Sequence, residues 1–226
     1  MRYFRSFLIV WLFLFYVSSV FASDNQFKQK LKVQFVPLPV NDITPRYRFG
    51  LFYESGKRVN YSLDIGYGNT FMNKWRIKDS KWEDNYSFYE LRPEFQYFLS
   101  QNQYFSIYGA TELFYLQMKS IFTDGVYESE QGQTVSYARA NYNKQKYGAH
   151  LKLGVVFHAR PRIDVDFFAG IGVAHRKIDY YNVVNAQVED YVIFTEWFPQ
   201  TYLYEGETIL PHLTGGFKVS WAIWVK

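Results

Sequence analysis

Hydrophobic and polar residues alternate along most of the chain with a period of two. Between residues 58 and 68, Val59, Tyr61, Leu63, Ile65 and Tyr67 are separated by asparagine, serine, aspartate and glycine. Successive side chains of a β-strand point to opposite faces, so this pattern predicts a strand with one apolar and one polar face. The alternation recurs and predicts eight strands, which are 27–36, 47–53, 58–68, 88–99, 105–115, 147–157, 163–173 and 213–223.

The two faces of these strands differ in volume, and volume decides how the strands are arranged. One face carries mainly Phe, Tyr, Trp, Leu, Ile and Val, whereas the other carries Gly, Ala, Ser and charged residues. The interior of an eight-stranded barrel is only wide enough to be filled by side chains, so the bulky face does not fit inside. This disfavours the alternative of a water-soluble barrel with an apolar interior. The sequence predicts an all-β fold, an eight-stranded antiparallel up-and-down transmembrane β-barrel with an apolar exterior and a filled polar lumen.

Charged residues of both signs occupy the predicted lumen face. An isolated charge is costly in a poorly hydrated interior, so we expect these side chains to pair, beginning with Arg92 and Glu112 on adjacent strands. The pairs would fix the strand register and seal the barrel; a conduction path is the alternative. The predicted lumen network consists of Arg48, Asp64, Glu90, Arg92, Glu94, Glu112, Lys152, Asp164, Asp166 and Lys218.

The first 22 residues predict a secretory signal peptide. A short basic segment, Met1–Arg5, precedes the apolar run Phe7–Val17, and Ala22 ends a small-residue cleavage site. The alternative, a membrane anchor helix, is disfavoured because eleven residues of helix rise only about 16 Å, about half of a hydrocarbon core. We therefore expect a signal peptide at 1–22 and an outer-membrane β-barrel domain at 23–226.

The connections between the predicted strands alternate between short and long. Residues 54–57, 100–103 and 159–162 are tight turns, whereas 69–85, 119–143 and 177–208 are long. Outer-membrane barrels have short periplasmic turns and longer external loops. The lengths therefore predict a protein of the cell outer membrane with both termini in the periplasm.

The long segment 177–208 is rich in aromatic residues, which suit surface recognition because they supply contact area at low entropic cost. The alternative is that the strands extend past the membrane and these rings pack on each other. The candidate recognition residues are Tyr180, Tyr181, Tyr191, Trp197, Phe198 and Tyr202.

Four segments resemble a known group of proteins. They are Tyr89–Phe98 (YELRPEFQYF), Tyr147–Gly154 (YGAHLKLG), Asp166–Gly172 (DFFAGIG) and Gly216–Val219 (GFKV). These segments are similar to strands of an uncharacterised domain-of-unknown-function family of small barrels, and the fold resembles the transmembrane domain of outer membrane protein A. The resemblance implies fold and location and no activity. Residues Thr214–Trp221 also resemble the closing-strand signal that the barrel-assembly machinery reads.

Composition and motifs offer little catalytic chemistry. The chain has no cysteine, and its net charge of +4 gives no reason to expect a nucleic-acid partner. No pattern indicates a metal or a cofactor. His175 and His212, with Asp179 and Thr214 nearby, are the minimum for acyl transfer or ester hydrolysis, although parity places the two histidines on opposite faces. We expect His150 to lie in the lumen in a structural role.

These observations favour a monomeric, non-enzymatic integral outer-membrane barrel with a structural or surface-recognition role. The expected partners are outer-membrane lipid, lipopolysaccharide and, during biogenesis, the barrel-assembly machinery. A lipid-modifying enzyme is the second hypothesis and a narrow channel is the third.

Overall fold

The computed structural model describes residues 28–37, 46–71, 85–160, 162–190 and 203–226. The predicted signal peptide, Phe27 at the start of the first predicted strand, and part of each of the segments 69–85 and 177–208 lie outside these ranges. Nine strands are present among the described residues: β1 Lys30–Val36, β2 Tyr47–Glu54, β3 Val59–Asn69, β4 Ser87–Gln101, β5 Phe105–Glu128, β6 Thr134–Arg160, β7 Ile163–Val184, β8 Gln187–Glu189 and β9 Gly206–Val225.

Eight of these strands form a closed ring. Each strand from β1 to β6 pairs antiparallel with the next, β7 pairs with β9, and β9 returns to β1. The three-residue β8 pairs only with β6 and adds no wall. The predicted fold class is therefore confirmed. No helix among the described residues is long and apolar enough to cross a membrane.

The exterior of the ring is apolar and is edged by two aromatic belts. The first belt consists of Tyr47, Tyr67, Tyr89, Tyr115 and Tyr147, which are all well exposed. The second belt, toward the tight turns, consists of Tyr53, Tyr61, Tyr97, Phe105, Phe157 and Trp221. Between Tyr147 and Phe157 a strand rises about 33 Å, which gives a band about 25 Å tall at the usual tilt of about 40°. Leucines and isoleucines fill the band between the belts.

The long connections differ from the predicted loops. Most of segment 119–143 is strand, because β5 continues to Glu128 and β6 begins at Thr134, leaving Ser129–Gln133 as the turn. We call the end of the molecule that carries this hairpin the extended end. Its interior is packed with a cluster of apolar side chains that includes Phe88, Met118, Phe122, Tyr127, Tyr137, Tyr142, Ile178 and Tyr180. The strands grow longer on this side because their inward rings pack on each other.

Two irregular positions in the wall lie on β4. Pro93 stays in register with Leu63 of β3 without a bulge. The ladder between β4 and β5 is interrupted at Arg92 and Pro93 and resumes in the same register at Glu94. A bulge does occur between Phe98 and Ser100. The burial of the aromatic side chains shows which way β5 faces. Tyr108 and Phe114 lie inside the lumen, and Tyr104 is exposed in the tight turn.

Candidate functional site

The ten charged residues of the predicted lumen network are all buried inside the ring. Glycines on facing strands make room for the long side chains. A Cβ on Gly66 would lie 2.7 Å from a carboxylate oxygen of Glu90, and a Cβ on Gly154 would overlap the Tyr108 ring. The repeated small residues of the lumen face thus follow from the volume of their neighbours.

At the centre of the lumen, two lysines are shared among three acids. Lys218 Nζ lies 3.3 Å from Asp64 Oδ2 and 3.4 Å from Glu94 Oε2. Lys152 Nζ bonds Glu94 and lies 2.8 Å from Glu112 Oε2. Because each lysine bridges acids on different strands, these pairs link β3, β4, β5, β6 and β9 across the interior.

Toward the extended end, one carboxylate serves three guanidinium groups. Glu90 accepts hydrogen bonds from Arg46 Nε at 2.7 Å, Arg48 Nε at 3.0 Å and Arg92 Nε at 2.5 Å. Arg92 also donates Nη1 to Glu112 Oε1 at 2.6 Å, which is the pair that the sequence singled out. Glu112 in turn contacts His150 Nδ1 at 2.9 Å.

At the tight-turn end, a chain of hydrogen bonds joins a serine, a histidine and an aspartate. Ser106 Oγ lies 3.0 Å from His158 Nε2, and His158 Nδ1 lies 2.7 Å from Asp164 Oδ1. Lys32 holds the other oxygen of Asp164 and also bonds Glu54. The three groups face a cavity of about 770 Å³ that basic residues such as Lys30, Lys57 and Arg160 also line. Sequence reasoning did not find this arrangement. The alternation of inward and outward side chains along the strands, together with the tight turn that pairs His158 with Asp164, could have indicated it.

Apolar groups close the lumen beside these charges. Phe52, Phe98, Tyr108, Ala110 and Val156 form a buried cluster near the tight turns. Tyr108 donates its hydroxyl to Asp166, at 2.9 Å from either carboxylate oxygen. The lumen is therefore filled by side chains at this level.

The four histidines do not gather at one site. His150 Nε2 lies 2.6 Å from His212 Nδ1 in the lumen, and the His150 ring stacks on Phe114. His175 instead stacks on Tyr147 of the first aromatic belt and lies 3.3 Å from Glu207. Asp179 contacts Lys177 and Asn143 rather than a histidine. Among the described residues, no hydrogen bond or ion pair joins His175, His212, Asp179 and Thr214, the group that the sequence suggested.

Only two of the six candidate recognition residues lie within the described ranges. Tyr180 is buried in the interior of the extended end, where its ring stacks on Tyr127 with centroids 4.3 Å apart. Tyr181 faces outward and is 43% exposed. The other four, Tyr191, Trp197, Phe198 and Tyr202, lie outside the described residues. Tyr180 therefore follows the alternative stated for this segment, in which the strands extend past the membrane and the rings pack on each other.

Acidic groups at the extended end lie outside the membrane band. Burial, together with the charges of Glu130 and Asp179, raises the pKa of Glu205, although the backbone N–H of Tyr180 donates to its carboxylate at 3.2 Å. Burial and the charge of Glu205 raise the pKa of Tyr127. Among the described residues, no group of His, Asp and Glu side chains is arranged to hold a metal ion.

Comparison with known proteins gives one family and one structure. The model of a family described as "Protein of unknown function (DUF3575)" matches residues 12–201. No curated protein matches the chain. The crystal structure of a major outer membrane protein from Thermus thermophilus is similar at 8% identity and a TM-score of 0.44, covering 87% of this chain and 98% of that one.

Proposed function

The chain belongs to the DUF3575 family of proteins of unknown function, and from that premise and the geometry we propose that it is an integral barrel of the cell outer membrane that displays its extended end on the cell surface. Its role is structural or one of surface recognition, without catalysis. The barrel is monomeric, and its fold resembles the transmembrane domain of outer membrane protein A. It is folded by the barrel-assembly machinery, with both termini in the periplasm.

The exterior supports the membrane location. A ring of strands has no free edges, so its backbone groups are satisfied without water. Leucine and isoleucine side chains of the band are exposed on its surface, as in Leu151 at 68% and Ile171 at 66%. Such a surface is stable against lipid and would aggregate in water. Lipid and lipopolysaccharide are accordingly the expected neighbours of the band.

The packed interior of the extended end is the observation that carries the display proposal. Strand β5 of the β5–β6 hairpin continues 13 residues beyond the first aromatic belt, from Tyr115 to Glu128, which corresponds to about 43 Å of strand. Buried rings hold this extension together, and Tyr180 contacts Tyr127, Tyr137 and Tyr142. A rigid projection of this size suits a surface that meets a partner.

An epitope-insertion experiment tests the display. A short tag is inserted after Gln131, in the exposed turn of the hairpin, and a matched tag is inserted after Gln103 in a tight turn. We expect antibody to label intact cells only in the first case and to label both after the outer membrane is opened. Labelling of the Gln103 tag alone on intact cells would reverse the orientation, and labelling of neither would remove the display role.

Ester hydrolysis is a second candidate, because Ser106, His158 and Asp164 stand in the order that activates a serine. In this reaction Ser106 Oγ attacks the acyl carbon while His158 Nε2 takes its proton, and Asp164 holds the opposite nitrogen. The proton then passes to the leaving alcohol, and water releases the acyl group as a carboxylate. The basic cavity around the serine suits an ester that carries a negative charge.

Labelling with a fluorophosphonate probe tests this second candidate on the purified, refolded protein. If the serine is activated, the probe modifies wild type and the Ser100→Ala control, which changes an exposed serine near the same end. Ser106→Ala then loses the label, and His158→Gln reduces it about tenfold or more, as expected when a general base is removed. An unlabelled wild type, or equal labelling of Ser106→Ala, would eliminate ester hydrolysis at this site.

A further inference from the structure

Two amide side chains at the tight-turn end have hydrogen-bonding atoms that the barrel does not use. Asn60 is completely buried, and no described group accepts a hydrogen bond from its Nδ2. The Oε1 atom of Gln101 is also buried and has no donor in the described part of the chain. Both residues line the cavity of about 770 Å³ that Ser106 and His158 face. An unpaired buried polar atom is unfavourable, so this donor and this acceptor match a polar group that enters the cavity.

The turn between β2 and β3 fixes the orientation of the Asn60 amide. Its Oδ1 accepts a hydrogen bond from the backbone N–H of Ser55 at 3.2 Å. Because a backbone N–H can bond only the oxygen end of the amide, the other end must be the NH₂ group. Asn60 therefore offers a fixed donor that the turn itself does not need.

The neighbouring turn is tied to the wall of the same cavity. Between β4 and β5, Asn102 Oδ1 accepts hydrogen bonds from the backbone N–H groups of Tyr104 and Phe105, each at 2.8 Å. The backbone N–H of His158 on β6 donates to the carbonyl oxygen of Tyr104 at 2.8 Å. These bonds hold the side of the cavity that carries Asn102, Tyr104 and His158. A wall that is already ordered lowers the entropic cost of binding a ligand.

The exposed rim of this cavity is positively charged. Glu54 and Asp164, the two acids that line it within the described ranges, are both bonded by Lys32. Lys57 and Arg160 also line the cavity and are exposed, and neither forms an ion pair with a described residue. These two cations can therefore attract an anionic ligand to the cavity.

A peptide group matches the unused atoms, because it carries one C=O acceptor and one N–H donor on opposite edges. We propose that this cavity binds an acidic peptide. Asn60 Nδ2 donates to a peptide C=O, Gln101 Oε1 accepts from a peptide N–H, and the cations of the rim pair with the carboxylates of the peptide. The volume of the cavity lies within the range of small-ligand pockets, which suits a peptide of a few residues. The cavity is that of the ester-hydrolysis candidate, but binding requires no reaction at Ser106.

The test uses the full refolded barrel in neutral detergent and isothermal titration calorimetry. The acidic probe is the tetrapeptide acetyl-Ala-Glu-Ala-Glu-amide, and two matched probes carry glutamine or lysine in place of glutamate. Glucuronate serves as an acidic sugar, whose hydroxyl groups also donate and accept hydrogen bonds. Calorimetry detects binding without reaction, so its result is independent of the labelling by the fluorophosphonate probe.

Three variants accompany these probes. Asn60→Asp keeps the acceptor for the Ser55 N–H and removes the donor, and Gln101→Met removes the acceptor at a similar side-chain length. The control is Gln133→Met, which changes an exposed glutamine in the turn of the extended end.

We expect saturable binding of the acidic peptide, binding of the glutamine peptide that is weaker by about tenfold or more, and none of the lysine peptide. Asn60→Asp should weaken binding of the acidic peptide about tenfold or more, because it replaces a donor with an acidic group. Gln101→Met should weaken it about fivefold or more, because a peptide N–H is left unpaired, and Gln133→Met should bind as wild type does. The proposal is overturned if the acidic peptide does not bind, if glucuronate binds more tightly, or if both site variants bind like wild type.

A measurement on wild type covers the case in which the site variants do not fold. A water-soluble carbodiimide activates a carboxylate of the acidic peptide, which condenses with a lysine amine to an amide, and the carbodiimide leaves as a urea. We expect mass spectrometry to find the peptide on Lys57 or Lys30, which line the cavity. Equal coupling to Lys177 at the extended end would contradict the site.

Discussion

Glu90 is the residue that balances the positive charge of three arginines in the part of the lumen toward the extended end. It is buried, and it accepts hydrogen bonds from Arg92 of β4, from Arg48 of β2 and from Arg46, which directly precedes β2. The alternation of the strands predicts that Glu90 and Arg92 face inward. It does not predict that three guanidinium groups converge on one carboxylate, because that depends on side chains reaching across two strand interfaces.

Replacing Glu90 with glutamine should destabilise the barrel strongly. Glu90→Gln leaves three guanidinium groups without their shared counter-charge, and breaking a buried ion pair typically costs about 3–5 kcal/mol. Urea unfolding in lipid vesicles, followed by tryptophan fluorescence, measures the loss. The control is Glu54→Gln, in which Lys32 keeps Asp164 as a partner, so its loss should be less than half as large. Equal losses in the two variants would contradict this account of Glu90.

Glu205 gives the extended end a pH dependence. Its raised pKa means that the folded extension holds the proton more tightly than the unfolded chain does. Its contribution to stability is therefore present at low pH and is lost as the pH rises through the raised pKa. Amide-exchange protection of the extension, corrected for intrinsic rates, should fall as the pH rises above about 4, the ordinary range of a glutamate pKa. Glu205→Gln should flatten that fall.

The control for this measurement is Glu207→Gln. Glu207 is well exposed and pairs with Lys177 and His175, so its removal should not flatten the pH dependence. A profile that is identical in wild type and in Glu205→Gln would show that Glu205 is not responsible.

At the scale of elements, β5, β6 and β7 have two different parts. In the membrane band their outward side chains are apolar and their inward side chains are polar. Beyond the first aromatic belt, toward the extended end, the inward side chains are mainly aromatic instead of polar, as at Phe122, Tyr142 and Tyr180. The change explains why the sequence predicted a loop over 119–143. Polar residues such as Asn141 and Lys144 obscure the apolar period, and the strands are held by ring packing that only the folded hairpin brings together.

Tyr180→Ala should loosen the extension and leave the barrel intact. The substitution removes a buried ring that contacts Tyr127, Tyr137 and Tyr142, and such truncations cost about 3–5 kcal/mol. Amide exchange should quicken in the tips of β5 and β6 and stay slow in the membrane band. Tyr181→Ala changes the exposed neighbour and should have little effect. If both variants exchange alike, the interior packing does not hold the hairpin.

At the scale of the whole molecule, closure of the barrel depends on β1, the shortest strand of the ring. β1 has seven residues, and it pairs with β2 on one side and with β9 on the other. Val33 lies in the middle of this strand, opposite Leu51 and Trp221. Each of the other pairs joins strands that follow one another along the chain within the ring, whereas the pairing of β1 with β9 joins segments that lie at opposite ends of the described chain.

Val33→Pro should open the ring. Proline lacks the N–H that a central strand donates to its ladder, so the closing pair would be broken. Closed barrels migrate differently on a gel before and after boiling, and we expect this difference in wild type and its loss in Val33→Pro. Val33→Ala keeps the N–H and should behave as wild type does. An unboiled Val33→Pro band at the wild-type position would mean that β1 does not close the barrel.

The sequence by itself determined the number of barrel strands, their inward and outward faces and the sign of each lumen residue. It could do so because the period of two is local and because volume forbids the bulky face from lying inside. Only the tertiary structure decided which charges share a partner and that Ser106 meets His158. These depend on the stagger of neighbouring strands and on contacts across the lumen, which join residues far apart in the chain and leave no periodic trace in it.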